Sequence, residues 1–266
     1  MSSEIIKILG VRIDTVTRQK ALTYIEKCLT SNRQYTIFTP NPEMLVAATI
    51  NSFFHNALNT SSINICDGIG IKVVARLYGN TLERIPGVDF MLSICRIAAK
   101  MQARVYLLGS ADTQVLHQTK QKLENQFPGL QIVGIHPGVS VQIKDSGGAM
   151  EGKQYTNSSI EYSLKENQSL LQEINTSRPD ILLVAFGQIK QECWIHENIS
   201  QLPSVKIAMG VGGSFDFISG KVKRAPRWVR ENGLEWLWRL FLQPWRAVRI
   251  WNATVRFLWL CLVKTE

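Results

Sequence analysis

The chain has 266 residues, 45% of them hydrophobic, and a formal net charge of +9. That is enough for one large α/β domain, or a domain with an appendage, and too apolar for extended disorder. The N-terminus carries Glu4, Lys7 and Arg12 among its apolar residues and so lacks a signal-peptide core, which predicts a cytosolic protein, while five scattered cysteines without a Cys-x-x-Cys pair argue against a disulfide framework or a structural zinc site.

In chain order, a short strand pair is expected around Ile5 to Leu9 and Val11 to Ile13, then a helix from Thr17 to about Leu29 and a strand from Tyr35 to Phe38. That strand ends in Thr39-Pro40-Asn41-Pro42, where two prolines forbid its continuation, and Glu43 to Ala48 begins the next helix. Within Ser62 to Gly70, Ile63 and Ile65 alternate as in a buried parallel strand. The run then breaks into Asp67-Gly68, delivering a carboxylate to the open carboxyl edge of a sheet, beside a helix from about Ile71 to Tyr78. Asp67 either caps that helix or does chemistry on an anion there; Thr39 and Asn41 either serve as turn and cap or reach the same rim.

Glu83 to Asp89 is a polar connection carrying Arg84 ahead of a helix from Phe90 to Met101. A strand from Arg104 to Leu108 runs into Gly109-Ser110-Ala111-Asp112 and a helix to Phe127, a turn that tolerates phosphate but is not Gly-x-Gly-x-x-Gly. After a strand from Leu130 to Ile135, the stretch from His136 to about Ser163 has little periodicity and reads as a long surface insertion. A helix from Ser163 to Ser177 precedes an apolar strand, Asp180 to Phe186, which ends in Gly187-Gln188-Ile189-Lys190-Gln191-Glu192 and a helix to about Ser200. The last core strand, Val205 to Met209, ends in Gly210-Val211-Gly212-Gly213-Ser214, whose glycines either admit a ligand to the backbone or merely pack the turn. This alternation predicts an α/β fold: a mostly parallel, Rossmann-like sheet with helices on both faces.

Residues 221–266 hold ten Lys/Arg against three acids, together with six of the seven tryptophans. They are expected to form a helical, membrane-associating appendage on an α/β body of residues 1–220. Pro244 breaks the helical pattern, and from Trp245 onward Arg246, Arg249 and Arg256 share one side. The apolar run Ile250 to Val263 is 14 residues long and interrupted by Arg256, too short to span a bilayer. It either lies on an anionic membrane surface or packs on the body with its arginines exposed.

No Asp-x-Asp, His-Glu-x-x-His, Walker A or Gly-x-Ser-x-Gly motif is present, and the four histidines form no ligand-spaced cluster, so neither a metal centre nor a serine hydrolase is supported. A dinucleotide oxidoreductase would need the Gly-x-Gly-x-x-Gly turn that is missing. A nucleic-acid-binding protein would instead use the basic tail to track phosphates.

Eight motifs occur in the order seen in the WecG/TagA/CpsF glycosyltransferases, which the chain resembles from about Ile8 to Arg249. They are T-P-N-P-E (39–43), D-G-I-G (67–70), E-R-I-P-G-V-D (83–89), L-L-G-S (107–110), G-Q-I-K-Q-E (187–192), G-V-G-G-S-F-D (210–216), R-A-P-R-W (224–228) and G-L-E-W-L-W-R-L (233–240). Ile189 stands where the family usually has proline, and 142–162 looks inserted. The resemblance implies transfer of an N-acetylmannosamine-type sugar from a UDP donor to undecaprenyl-diphosphate-linked N-acetylglucosamine. It places the enzyme peripherally on the cytoplasmic face of the plasma membrane, with no metal, cofactor or nucleic acid, and leaves homo-oligomerisation open. It implies Asp67 as general base, with Thr39, Asn41, Arg84 and Gln191 around the sugars and Arg239, Arg246 and Arg249 on lipid diphosphate or donor phosphates. The turns at Gly109-Ser110, at Gly187 and at Gly210, Gly212 and Gly213 are the expected nucleotide-binding backbone. Sugar transfer needs a base for the acceptor hydroxyl and, without metal, cations or N–H dipoles for the leaving diphosphate.

Overall fold

A computed structural model of the protein describes residues 4–143, 160–244 and 247–263, without the side chains of Arg239 and Arg249. β1 (Ile5–Ile8) and β2 (Val11–Asp14) form the expected antiparallel pair, followed by α1 (Arg18–Leu29), β3 (Tyr35–Phe38), α2 (Pro42–Ala48), α3 (Ser52–Asn59) and β4 (Ile63–Asn64). Next come α4 (Ile69–Leu77), α5 (Gly87–Met101), β5 (Arg104–Gly109), α6 (Thr113–Gln126) and β6 (Gln131–His136). The stretch expected as an insertion begins and ends in an antiparallel pair, β7 (Gln142–Ile143) and β8 (Ile160–Glu161); residues 144–159 lie outside the described residues. The chain continues through α7 (Leu164–Ser177), β9 (Ile181–Ala185), α8 (Lys190–Asn198), β10 (Ile207–Gly210) and α9 (Ser214–Ser219). It finishes with α10 (Arg227–Glu231), α11 (Glu235–Leu242), α12 (Ala247–Trp251), a π-helical turn at Asn252–Arg256 and α13 (Phe257–Val263).

Six strands pair in the order β4-β3-β10-β9-β5-β6, every pair parallel, as the alternation predicted. Because a strand's side chains alternate between faces, Phe38, Leu108, Leu182, Val184 and Ala208 enter one core layer with α2, α3, α4, α7, α8 and α13. Ile37, Leu107, Ile181, Leu183 and Met209 enter the other, with α1, α5, α6 and α9. The steps β3 to β4 and β9 to β10 move one way across the sheet with their helices on the first face, and β5 to β6 moves the other way with α6 on the second. One crossover hand is thereby kept throughout. All six carboxyl ends share one rim.

Three boundaries differ from expectation. The helix after Pro42 is two helices, because Asn51 accepts from Phe54 N at 2.8 Å and starts α3 afresh. The helix α4 starts at Ile69 and includes Gly70, where an added Cβ would lie 2.9 Å from Pro42 Cγ and 3.5 Å from Phe257 Cε1. The polar connection shortens to Glu83–Pro86, since Pro86 sets up a helix that begins at Gly87. All five cysteines are buried and unpaired, as expected.

The C-terminal helices fold back on the body. Phe257 is fully buried, Leu260 and Cys261 are buried beside it, and Tyr78 Oη donates to the Cys261 carbonyl at 2.9 Å. Arg256 stays exposed, as do Trp251, Val255, Trp259, Leu262 and Val263. The helix thus packs on the body as one of the two expectations had it, and keeps a second, apolar face outward. No helix among the described residues is long and apolar enough to cross a membrane.

Phe257→Ala is expected to cost about 3–5 kcal/mol of packing between this helix and α2 and α4. Trypsin cleavage between Lys221 and Arg230 should quicken; unchanged cleavage and melting would show that Phe257 does not pin the tail.

Candidate active site

A cleft of about 840 Å³ follows the carboxyl rim of the sheet. Thr39 and Asn41 enter it from the end of β3, Asp67 from the end of β4, Ser110 from β5, Gly187 and Gln191 from β9 and α8, and Gly212 and Gly213 from β10. Residues as far apart in sequence as Thr39 and Gly213 thus meet because the strands run the same way.

Asp67 does not cap α4: Gly68 occupies that position and α4 has no side-chain cap. The half-buried carboxylate turns instead to the start of α5, where the Gly87 amide hydrogen-bonds it. A Cβ on Gly87 would lie 2.9 Å from Thr39 Oγ1 and 3.5 Å from Asp67 Oδ2, so hydroxyl and carboxylate flank the same Cα. Burial pushes the Asp67 carboxyl up to about 6; the Arg84 charge opposes this, the Glu235 charge adds to it, and the Gly87 amide opposes it again. Arg84 itself is a strut, with Nε donating to the Asp67 carbonyl at 2.9 Å and Nη1 to the Arg230 carbonyl at 2.8 Å.

Asn41 does both things its position allowed. Its Oδ1 accepts from Met44 N at 3.0 Å and caps α2, while Nδ2 lies 3.4 Å from Gln188 Oε1. Gln191 is buried, with Nε2 donating to Glu192 Oε1 at 2.7 Å and Oε1 accepting from Gly212 N at 2.9 Å. The turn leading into it centres on Ile189 at φ 72°, ψ −56°, a strained γ-turn geometry for a β-branched residue. Proline, locked near φ −65°, could not adopt it.

Of the glycines expected to bind nucleotide, Gly187, Gly212 and Gly213 line the cleft with Ser110. Gly109 and Gly210 sit behind that surface. A Cβ on Gly109 would meet the Ala185 carbonyl carbon at 2.6 Å, and one on Gly210 would meet Gln191 Nε2 at 2.7 Å. Arg246 lies outside the described residues, as do the side chains of Arg239 and Arg249.

Four carboxylates of this cleft, Glu43, Glu192, Asp216 and Glu235, were not among the residues expected at the site. Glu192 is buried, and burial pushes its carboxyl up to about 7 against the hydrogen bond from Gln191. Glu235 is one of only three acids in the basic tail, which was the available signal. It is held by Arg224, whose Nε lies 3.6 Å from Glu235 Oε1 and whose Nη1 lies 2.8 Å from Asp89 Oδ1 in the first turn of α5. The described lining carries five carboxylates, Glu43, Asp67, Glu192, Asp216 and Glu235, and two cations, Arg84 and Lys190. Among the described residues, no three His, Cys, Asp or Glu side chains are grouped to hold a metal ion.

The sequence model of the glycosyl transferase WecG/TagA/CpsF family matches residues 6–265. An N-acetylglucosaminyldiphosphoundecaprenol N-acetyl-beta-D-mannosaminyltransferase of Bacillus subtilis is 32% identical over 215 residues, covering 80% of this chain and 74% of its own. One of the same name from Bacillus spizizenii is 32% identical over 229 residues, with 85% and 77% covered. Another, from Staphylococcus aureus, is 28% identical over 246 residues, with 91% and 86% covered.

The geometry ranks two substitutions. A Cβ on Gly68 would lie 2.3 Å from Pro42 Cδ, a rigid ring, whereas one on Gly87 meets the rotatable Thr39 hydroxyl. Gly68→Ala is therefore expected to cost about 1–3 kcal/mol and Gly87→Ala less, read by thermal denaturation; equal losses would refute the ranking.

Proposed function

The chain belongs to the WecG/TagA/CpsF family and is a glycosyltransferase, and from that premise we propose that it moves N-acetylmannosamine from a UDP donor to a polyprenyl-diphosphate-linked N-acetylglucosamine. The names of the relatives state that sugar and acceptor for those proteins. What carries the reading here is Asp67, a half-buried carboxylate with a raised pKa, beside the Thr39 hydroxyl on the rim of a cleft large enough for two sugars and a diphosphate.

In this reading Asp67 takes the proton of the acceptor hydroxyl as its oxygen bonds to the anomeric carbon. The bond from that carbon to the UDP oxygen breaks with its electron pair on the diphosphate, inverting the centre. A carboxyl near 6 is largely ionised at neutral pH yet more basic than an ordinary aspartate, as a base requires. Thr39, Asn41 and Gln191 are the sugar-facing groups. Two cations in the described lining are few for a diphosphate, and Arg239, Arg246 and Arg249 are proposed to supply the rest in place of a metal.

The deciding experiment gives the protein UDP-N-acetylmannosamine and a short-chain polyprenyl-diphosphate N-acetylglucosamine. A lipid-linked disaccharide plus UDP is the expected product, and no transfer from any of a panel of UDP-sugars would overturn the proposal.

With Asp67→Asn, turnover should fall by roughly 10²-fold or more with donor binding retained, and near-normal turnover would remove Asp67 from the mechanism. In the parent enzyme kcat/KM should decline below a midpoint near pH 6, since a protonated Asp67 cannot accept the proton. Arg84→Gln removes a charge that favours ionisation and should move this limb to higher pH; Glu235→Gln removes one that opposes it and should move the limb lower. Shifts of the opposite sign would sink the assignment.

Activity should survive excess chelator, because arginines and backbone amides hold the leaving group; loss on chelation with recovery on adding Mg²⁺ or Mn²⁺ would refute metal independence.

We further propose that the tail docks the enzyme on the inner face of the plasma membrane. Exposed Trp251, Val255, Trp259 and Leu262 supply the apolar contact, and each arginine near an anionic surface adds about 1 kcal/mol of attraction. Deleting residues from Leu234 onward should abolish sedimentation with anionic vesicles and nearly abolish turnover of a lipid acceptor. Full-rate turnover by the truncated chain would make the tail an anchor at most.

A further inference from the structure

Glu192 stands immediately behind Gln191 in the first turn of α8, 1% exposed, with no cation paired to it among the described residues. Its Oε1 accepts from Gln191 Nε2 at 2.7 Å. Its Oε2 is buried and has no hydrogen-bond partner among the described residues. An orphaned carboxylate oxygen in the interior costs stability, and the burial that pushes this carboxyl to about 7 is the same cost seen from the proton's side. The Glu192 and Ile189 backbone amides and the Gln191 amide oppose that cost without cancelling it, and a residue kept at such expense beside a cleft residue marks a constraint other than stability.

The hydrogen bond decides how the Gln191 carboxamide sits. A glutamine side chain can present its oxygen and nitrogen either way round. With Nε2 drawn to Glu192, Oε1 is left to accept from Gly212 N at 2.9 Å, so one carboxamide joins α8 to the glycine turn after β10. Gly210 supplies the space. A Cβ there would lie 2.7 Å from Gln191 Nε2, 2.9 Å from Glu192 Oε1 and 3.1 Å from Gln191 Cδ, so any other residue at 210 would push the pair apart. That is a structural reason for the first glycine of the turn, while Gly212, at φ 53°, answers to backbone geometry.

We propose that Glu192 is a positioning residue for sugar transfer, acting through Gln191: seated against Gly210, it fixes the orientation of the Gln191 carboxamide and thereby the Gly212 amide and turn that line the donor end of the cleft. This rests on the reading of Gln191 as a sugar-facing group. Glu192 is assigned no contact with substrate: it lies at the cleft wall, 1% exposed, with Oε2 buried and Oε1 taken by Gln191.

The test is a double-mutant cycle with a direct readout of the side chain. Glu192→Ala is expected to lower kcat/KM by about as much as Gln191→Ala, and the double variant to be no worse than Gln191→Ala, since residues acting as one unit are not additive. Glu192→Gln, whose amide oxygen can accept the same bond, should recover most of the activity. Losses that multiply in the double variant would overturn the proposal. The side-chain amide resonances of Gln191, assigned by NMR in the protein without substrate, decide the geometry whatever reaction is catalysed. They should be displaced and slow to exchange in the parent protein, and collapse toward free-amide values in Glu192→Ala and Gly210→Ala. Unchanged resonances in those two variants would refute the clasp even if the enzyme transfers sugar as proposed, and their collapse in a protein that transferred no sugar would leave the clasp standing while denying it this role in transfer. Should Glu192→Ala fail to fold, Gly210→Ala and Glu192→Gln carry the same comparison.

Discussion

The site depends first on the parallel register of six strands. A parallel sheet sends every strand-to-helix loop to one edge, and only there can Thr39, Asp67, Ser110, Gly187 and Gly212 share a cleft. Within that edge one constraint is local. The Pro42 ring leaves no room for a Cβ at Gly68 or Gly70, so the loops after β3 and β4 are pressed together, and Phe257 closes over Gly70 from outside. The prolines that end β3 and the glycines that follow Asp67 are thus two halves of one contact.

Electrostatics then explains why the C-terminal segment belongs to the site. Burial raises Asp67, and Glu235 raises it further, so part of the basicity proposed for catalysis comes from a residue of the tail. Arg224 holds Glu235 and also reaches Asp89 on the helix whose first amide faces Asp67. An acid-rich cleft suits a base that must stay basic and is poorly matched to a diphosphate. The two requirements are reconciled if the remaining positive charge comes from outside the described lining, which is what the proposed tail arginines would provide.

Much of this was legible in the sequence because it depends on short-range signals. Strand-to-helix alternation gives the parallel sheet, and a carboxylate, hydroxyl or amide just past a strand end gives Asp67, Thr39 and Asn41 as candidates. What escaped depends on contacts distant in the chain. The partner of Asp67 is the Gly87 amide rather than the neighbouring helix, which no local cap pattern could reveal. Glu192 reads as an ordinary first-turn acid until its burial against Gly210 is seen. Glu235 lies in the Gly233–Leu240 motif, but only its ion pair with Arg224 and its charge near Asp67 give it a role. Gly109 and Gly210 look like ligand-binding glycines by composition, and geometry assigns both to close packing.

The tail shows why periodicity alone left two expectations open. A helical wheel from Trp245 onward puts Arg246, Arg249 and Arg256 on one side and apolar residues elsewhere, without saying how the apolar part is divided. The structure divides it: Phe257, Leu260 and Cys261 go to the body, and Trp251, Val255, Trp259 and Leu262 go outward. Val73 and Leu77 of α4 are exposed as well, and three exposed apolar residues, Val73, Trp236 and Leu258, also line the cleft. The site is therefore edged in part by exposed apolar side chains. A bilayer seated on that edge, as the proposed function requires, would bring lipid headgroups level with the Asp67 rim, so that a lipid-linked acceptor could present its sugar without leaving the membrane.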